Sequence, residues 1–310
     1  MHNVAIIHTG AVGDLVQALP ALAAVREAYA AAAVTFVGRP ERGDLARAAG
    51  VADARVDLET SGLWRLTAAG GGAAPCPPWL GEADVVLDFL TQGALAACLS
   101  PQPRVVTLHP LPPEDWTQPA AAFVLQEVTE ALGLPRPADE RPALPLDEAA
   151  LDAGRRTLAA RGVAGPFVLV HPGSGSVRKN WPMERFAEVA DRVRREMGRT
   201  VVWLAGPAEV ERGTVPAASE TVLADLSLVE SAAVCALSEA YLGNDSGVTQ
   251  MAAAVRPRHP ATPVVALFGP TDARVWAPRG DHVRVVRSAD GTMAGIGLEE
   301  VWEAVEHTLD

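Results

Sequence analysis

Lys179 is the only lysine among 26 basic residues; the other 25 are arginine. It sits in the run His171-Pro172-Gly173-Ser174-Gly175-Ser176-Val177-Arg178-Lys179-Asn180-Trp181-Pro182. A chain that uses arginine everywhere else keeps one compact ammonium here, on a flexible stem, where arginine would bring a wide flat fork. The small residues around it can aim backbone N–H and hydroxyl groups at an anion. The GxxxxGK[ST] spacing of a P-loop is absent. The chemistry indicated is phosphate binding by another kind of loop, against the plainer reading of a turn with an exposed lysine.

Three further runs carry polar groups at strand-to-helix turns. Asn244-Asp245-Ser246-Gly247 reads as an N-cap, and the same groups with the positive helix end can hold a diphosphate. Gly10-Ala11-Val12-Gly13-Asp14 is not GxGxxG, which argues against a nicotinamide site. Its glycines permit close approach of a ligand or a facing domain. Asp14 there is a helix cap or a general base. Gly206-Pro207-Ala208-Glu209 sets a carboxylate just past a strand end, able to accept both hydroxyls of a ribose or simply to face water. His8, His109 and His171 lie near strand ends without a metal spacing and read as core or loop histidines. No Asp-x-Asp occurs, so a divalent metal bridging a diphosphate has no obvious ligands.

Those turns need strands and helices to hold them. In the first half, strand-like runs at 4–8, 34–37, 85–90 and 105–108 alternate with a helix expected over 14–29. Residues 68–78 form a Gly/Ala/Pro-rich loop, and the proline-rich stretch 135–145 reads as a linker. In the second half, strands are expected at 167–171, 200–204, 240–243 and 264–268. Helices are expected at 183–197, 227–238, 247–254 and 298–309. Such alternation implies parallel sheets covered on both faces, with ligands beyond the carboxyl ends of the strands. The expected division is 1–140, 141–297, and a terminal helix, 298–310, able to return to the first domain.

Composition sets the outer limits. Hydrophobic residues make up 49% and charged residues 21% of 310 residues, as in a folded chain large enough for two cores. The net charge of −12, with no basic stripe, argues against a nucleic-acid partner. The acid excess lies mainly in the first 150 residues, which hold 9 Arg against 18 Asp and Glu. Cys76, Cys98 and Cys235 form no CxxC pair and read as small buried thiols. No signal-peptide pattern and no apolar run of about 18 residues occur, so a cytoplasmic protein is expected.

Taken in order, several motifs resemble those of family 9 glycosyltransferases, the ADP-heptose:lipopolysaccharide heptosyltransferases and their relatives. They are Gly13-Asp14 with Leu19-Pro20, then Pro172-Gly173-Ser174 with Lys179-Asn180-Trp181-Pro182 and Arg185-Phe186. Gly206-Pro207-Ala208-Glu209, Gly243-Asn244-Asp245-Ser246-Gly247 and Leu267-Phe268-Gly269-Pro270-Thr271-Asp272 follow. The resemblance spans nearly the whole chain.

It implies an α/β GT-B fold, two Rossmann-like doubly wound domains facing a central cleft. It implies inverting, metal-independent sugar transfer with no cofactor, from a nucleotide-sugar donor, expected to be ADP-heptose. The acceptor would be a glycan or lipid-linked core-like molecule, met at most peripherally at the inner face of a membrane. It maps the base to Asp14 and the donor contacts to Ser174, Ser176, Lys179, Asp245, Ser246, Gly247 and Val248. Glu209 takes the ribose and Leu226 packs on adenine. Gly13, Arg39 and Arg104 are acceptor-side candidates, with Arg42 the other basic residue available. Gln250 stands where family members often carry His. A nucleotide-sugar epimerase on the same scaffold and a non-catalytic nucleotide-sugar-binding relative are the alternatives.

Overall fold

The computed structural model describes residues 3–63, 77–91, 93, 95–96, 103–206, 209, 220–255 and 261–309. Cys76, Cys98, Pro207, Ala208 and nearly all of the 68–78 loop lie outside them. The chain divides into two compact units, Met1–Ala143 and Leu144–Asp310. The division falls inside the expected proline-rich linker.

The first unit is a parallel sheet of β1 (Asn3–Ile7), β2 (Ala33–Gly38), β3 (Ala54–Asp57), β4 (Val85–Asp88) and β5 (Arg104–Thr107), in the order β3-β2-β1-β4-β5. Its helices are α1 (Val12–Ala28), α2 (Pro40–Ala48), α3 (Pro78–Gly81) and α4 (Ala120–Leu132). The central strands β1 and β4 are apolar and almost wholly buried, as strands covered on both faces must be. The strand order reverses between β1 and β4, so their carboxyl ends open the crevice where α/β sheets bind ligands. The segment leading from β1 into α1, which carries Asp14, lies at that point.

The second unit repeats the plan with β6 (Phe167–His171), β7 (Thr200–Leu204), β8 (Thr221–Leu223), β9 (Ala240–Asn244), β10 (Val264–Phe268) and β11 (Val283–Arg287). The order is β11-β10-β9-β6-β7-β8, all parallel. Around it lie α5 (Glu148–Ala160), α6 (Met183–Met197), α7 (Leu228–Leu237), α8 (Gly247–Ala254), α9 (Ala273–Trp276) and α10 (Leu298–Leu309). In α6, Phe186, Val189, Ala190 and Val193 recur at helical spacing and are buried. The helix stops at Gly198, whose φ of 63° is left-handed. Here the order reverses between β6 and β9, and His171 pairs in register with Gly243. Two loops far apart in sequence, 172–182 and 245–248, therefore leave the sheet side by side.

The strands and helices expected at 167–171, 183–197, 200–204, 264–268 and 298–309 have those bounds. The edge strands β3, β8 and β11, and the helices α2, α4 and α5, were not anticipated. The terminal helix α10 belongs to the second unit, where Val301, Trp302, Ala304 and Val305 lie in one core with Trp181, Phe186 and Val193. Burying each large apolar side chain is worth about 1.5–3 kcal/mol. A chain ending at Gly297 should therefore lose cooperative unfolding of the second unit while the first still melts, as urea titration followed by near-ultraviolet circular dichroism would show.

Candidate functional site

Asn244 closes β9 with its side chain fully buried. Its Oδ1 accepts from the Trp181 N–H at 3.1 Å and its Nδ2 donates to the Pro172 carbonyl at 2.7 Å. One amide thus ties both ends of the loop after β6 to the neighbouring strand. Trp181 is held further by its Nε1–H to the Ile296 carbonyl at 3.1 Å and by edge-on packing against Phe186 at 5.0 Å. The sequence named Asn244 only as part of a motif and gave it no role. Its signal is a buried amide between two strand ends, which only pairing shows.

Within that loop the short 3₁₀ turn Val177–Lys179 is capped by Ser176, which accepts from the Arg178 N–H at 3.4 Å. Ser174 is buried, and its hydroxyl reaches the Ser176 carbonyl at 2.7 Å and Asn180 Oδ1 at 2.6 Å. Both serines shape the loop. The turn delivers Lys179, whose Nζ lies 2.7 Å from Asp245 Oδ2. The contact is close enough for an ion pair, but Oδ2 receives no aligned hydrogen bond. The Asp245 side chain is 9% exposed and that of Lys179 34%, so the lysine is the more accessible member of the pair.

Ser246 caps α8, accepting from the Thr249 N–H at 3.2 Å. Behind it Thr249 is locked by the Asn244 carbonyl and by Tyr241 Oη at 3.0 Å. The N–H groups of Gly247 and Val248 open the helix, where no intrahelical acceptor exists for them. Gln250 Nε2 donates to the Trp276 carbonyl, joining α8 to α9. Glu209 is buried, with Oε2 accepting from the Gly206 N–H at 2.8 Å. A Cβ on Gly173 would lie 2.1 Å from the Glu209 carboxyl carbon, so glycine is needed for the carboxylate to reach the loop. His171 Nδ1 meets the Leu204 carbonyl at 2.9 Å, and burial pushes its pKa down against the pull of that carbonyl and of Glu209. Leu226 is half-buried between β8 and α7, beside Asp225 at φ 59°. These groups share the carboxyl ends of the second sheet. A cavity of about 540 Å³ opens at the other end of β7, but its Arg194 and Arg199 are already paired with Glu220 and Glu239.

In the first unit, Asp14 occupies the first turn of α1 and its Oδ2 accepts from the Ala11 N–H at 2.7 Å. Ala11 has no acceptor to return the bond, so this is half a capping box. Gly13 precedes it in the same turn. A Cβ on Gly10 would lie 2.8 Å from Asp14 Oδ2 and 3.0 Å from His8 Cε1, so carboxylate and imidazole converge on that glycine. His8 is buried, its ring edge-on to Phe89 at 5.5 Å. Burial, and then the Arg42 charge, push its pKa down to about 4. Arg39 precedes α2 just past β2 and is exposed. Arg104 starts β5, at the amino end of the sheet, and caps α4 through the Ala131 carbonyl at 2.7 Å. It has a structural task away from the Asp14 turn.

Among the described residues, no group of three or more His, Cys, Asp or Glu side chains is placed to hold a metal ion. No described helix is long and apolar enough to cross a membrane.

The family model for glycosyltransferase family 9 (heptosyltransferase) matches residues 115–302. Lipopolysaccharide heptosyltransferase 3 of Escherichia coli is 29% identical over 137 residues, covering 42% of this chain and 38% of that protein. Lipopolysaccharide heptosyltransferase 1 of Pseudomonas aeruginosa is 29% identical over 163 residues, covering 52% and 42%. The matched stretch thus spans less than half the length of these curated relatives. A family 9 glycosyl transferase from Veillonella parvula superposes with a TM-score of 0.77 at 20% identity, over 99% of this chain and 97% of that one. The ADP-heptose lipopolysaccharide heptosyltransferase II of E. coli gives 0.75 at 19% identity, over 100% and 98%. At these identities the structural likeness is one of fold: two Rossmann-like α/β domains of the GT-B type.

Two measurements check the geometry. Asn244→Ala strands a buried carbonyl and a buried N–H, each costing about 1–3 kcal/mol, so the second unit should lose about 2–6 kcal/mol in urea unfolding. His8 stays neutral when folded, while the unfolded chain takes its proton near pH 6.5. The stability this leaves at neutral pH should fall as pH drops from about 6.5 towards 4, by roughly 3 kcal/mol in all. His8→Gln should flatten that stretch of the stability–pH curve.

Proposed function

The chain belongs to glycosyltransferase family 9, and on that footing we propose that it transfers a sugar from a nucleotide-diphosphate donor, heptose from ADP-heptose, to an acceptor hydroxyl. The reading is carried by one observation: a partly exposed ammonium, Lys179, held 2.7 Å from Asp245, the residue just before the helix start at Gly247 and Val248. A diphosphate needs a cation and N–H donors converging on a strand end, and this is such a place.

The proposed step moves one proton and exchanges one bond. Asp14 takes the proton of the acceptor hydroxyl. The freed oxygen bonds to the anomeric carbon from the face opposite the leaving group, inverting it. The bond from that carbon to the diphosphate breaks, and its electron pair stays on the phosphate oxygen. Lys179 and the N–H groups of Gly247 and Val248 stabilise the charge arriving there, without a metal. Asp245 would repel a phosphate, so its task is to aim Lys179. Glu209 accepts from the ribose hydroxyls and Leu226 packs on the base. The acceptor is a glycan or lipid-linked molecule of the lipopolysaccharide-core type. The heptosyltransferase relatives and the family support this assignment.

Asp14→Asn should cut transfer by about 10²–10⁴-fold and leave ADP affinity unchanged in calorimetry; wild-type turnover in that variant would remove Asp14 as the base. Lys179→Ala should weaken ADP binding about ten- to a hundredfold, the value of a hydrogen bond to a charged group. Lys179→Arg decides whether a compact ammonium is required, since full activity would make any cation sufficient. Donor incubated without acceptor should yield no isomerised sugar, which separates transfer from epimerisation.

A further inference from the structure

Among the described residues Arg42 makes no salt bridge, and it stands at the ligand end of the first sheet. It lies in the first turn of α2, just beyond β2. Arg26, Arg55 and Arg136 of that unit are paired, with Asp53 at 2.8 Å, Asp44 at 2.7 Å and Glu140 at 2.8 Å, while Arg39 is exposed to solvent and Arg104 donates to a carbonyl. Arg42 is half-buried, its Nε and Nη1 are fully buried, and neither nitrogen has a hydrogen-bond partner. Buried donors left unmade cost stability, and arginine cannot relieve the cost by losing its proton. Carboxylates outnumber arginines two to one in the first 150 residues, so partners for Arg42 were chemically available. Such a charge fits a place kept for a ligand.

Its surroundings narrow the ligand. His8, whose Nδ1 is also buried without a partner, is held neutral and adds no charge of its own. Burial lowers the Arg42 pKa most; Glu41, Arg39 and Asp14 are the charges that act on it next. A neutral sugar hydroxyl would accept one N–H and leave the charge unmet. An oxyanion meets both needs, and charge-assisted bonds to it are about twice as strong as neutral ones.

We propose that Arg42 is an anion-binding residue, taking a phosphate or carboxylate carried by the acceptor and so holding the acceptor near Asp14. The acceptor part of this rests on the transfer reading; the anion site does not.

The test uses the full chain in a Lys179→Ala background, which removes the cation of the other candidate phosphate site. Inorganic phosphate is titrated in one series and acetate in another, with Tm as the readout. Binding to the native state raises Tm. A rise with phosphate alone assigns a phosphate, and a rise with acetate assigns a carboxylate. Either rise should vanish on adding Arg42→Gln. No rise with either anion, or a rise undiminished by Arg42→Gln, overturns the proposal. Without any anion, Arg42→Gln should melt about 2–4 °C higher, as expected for roughly 1 kcal/mol in a domain of this size. A lower Tm would mean that the guanidinium stabilises the free protein, and would overturn the proposal too. In the intact site Arg42→Gln should raise the acceptor KM and leave ADP affinity unchanged. Failure of the transfer reading shows separately, as a Tm of the unmutated chain that ADP does not move.

Discussion

The second unit's chemistry depends on one buried amide. Parallel pairing sets β6 beside β9, but pairing alone would leave the loop after β6 free to wander. Asn244 removes that freedom by bonding Pro172 at the loop's start and Trp181 at its end. The residues between, Gly173 to Asn180, then have fixed end points, and the 3₁₀ turn inside them can deliver Lys179 to Asp245. Trp181 fastens the same loop to the core through Ile296, and Arg185 adds a bond to Ala294 at 2.8 Å. The last helix, α10, packs into that core. A residue a hundred positions from Lys179 thereby helps to hold it still.

Charge is distributed with similar economy. Many arginines lie against carboxylates, where each exposed pair adds little to stability. Two cations at the ligand ends of the sheets differ from such pairs. Lys179 lies 2.7 Å from Asp245 and stays 34% exposed. Arg42 has two buried nitrogens, Nε and Nη1, with no hydrogen-bond partner among the described residues. Both stand at the carboxyl ends of parallel strands next to a reversal of strand order, where backbone dipoles and open helix starts favour anions. The cavity of about 540 Å³ at the amino end of β7 is roomy, yet its charges already satisfy one another. Unsatisfied chemistry, more than volume, separates the two kinds of place.

Much of this was legible in the sequence, for physical reasons. Central strands such as 167–171 and 264–268 are continuous apolar runs between Gly and Pro signals, and α6 has a clean helical stripe. The edge strands were not legible: β3 reads Ala-Arg-Val-Asp and β11 carries two arginines, because an edge is half solvated and tolerates charge. Lys179 stood out by composition, and Asp14, Asp245 and Ser246 by their turns. Arg104 stood out by residue type alone, and only the direction of β5 shows that it stands at the amino end of the sheet. Asn244, Gly173 against Glu209, and the isolation of Arg42 all arise from contacts between distant segments. No local pattern encodes them.

The ion pair of Lys179 and Asp245 has a consequence for turnover. The pair is electrically balanced, a dipole more than a naked charge. On the proposed reading, a diphosphate that settles there must share the ammonium with a carboxylate that never leaves. The competition is mild while the phosphates are esterified to a sugar and stronger once the bond breaks and the nucleotide gains charge. The built-in rival therefore limits how long the spent nucleotide can stay. The residue that aims the lysine also hastens the site's return to readiness for the next donor.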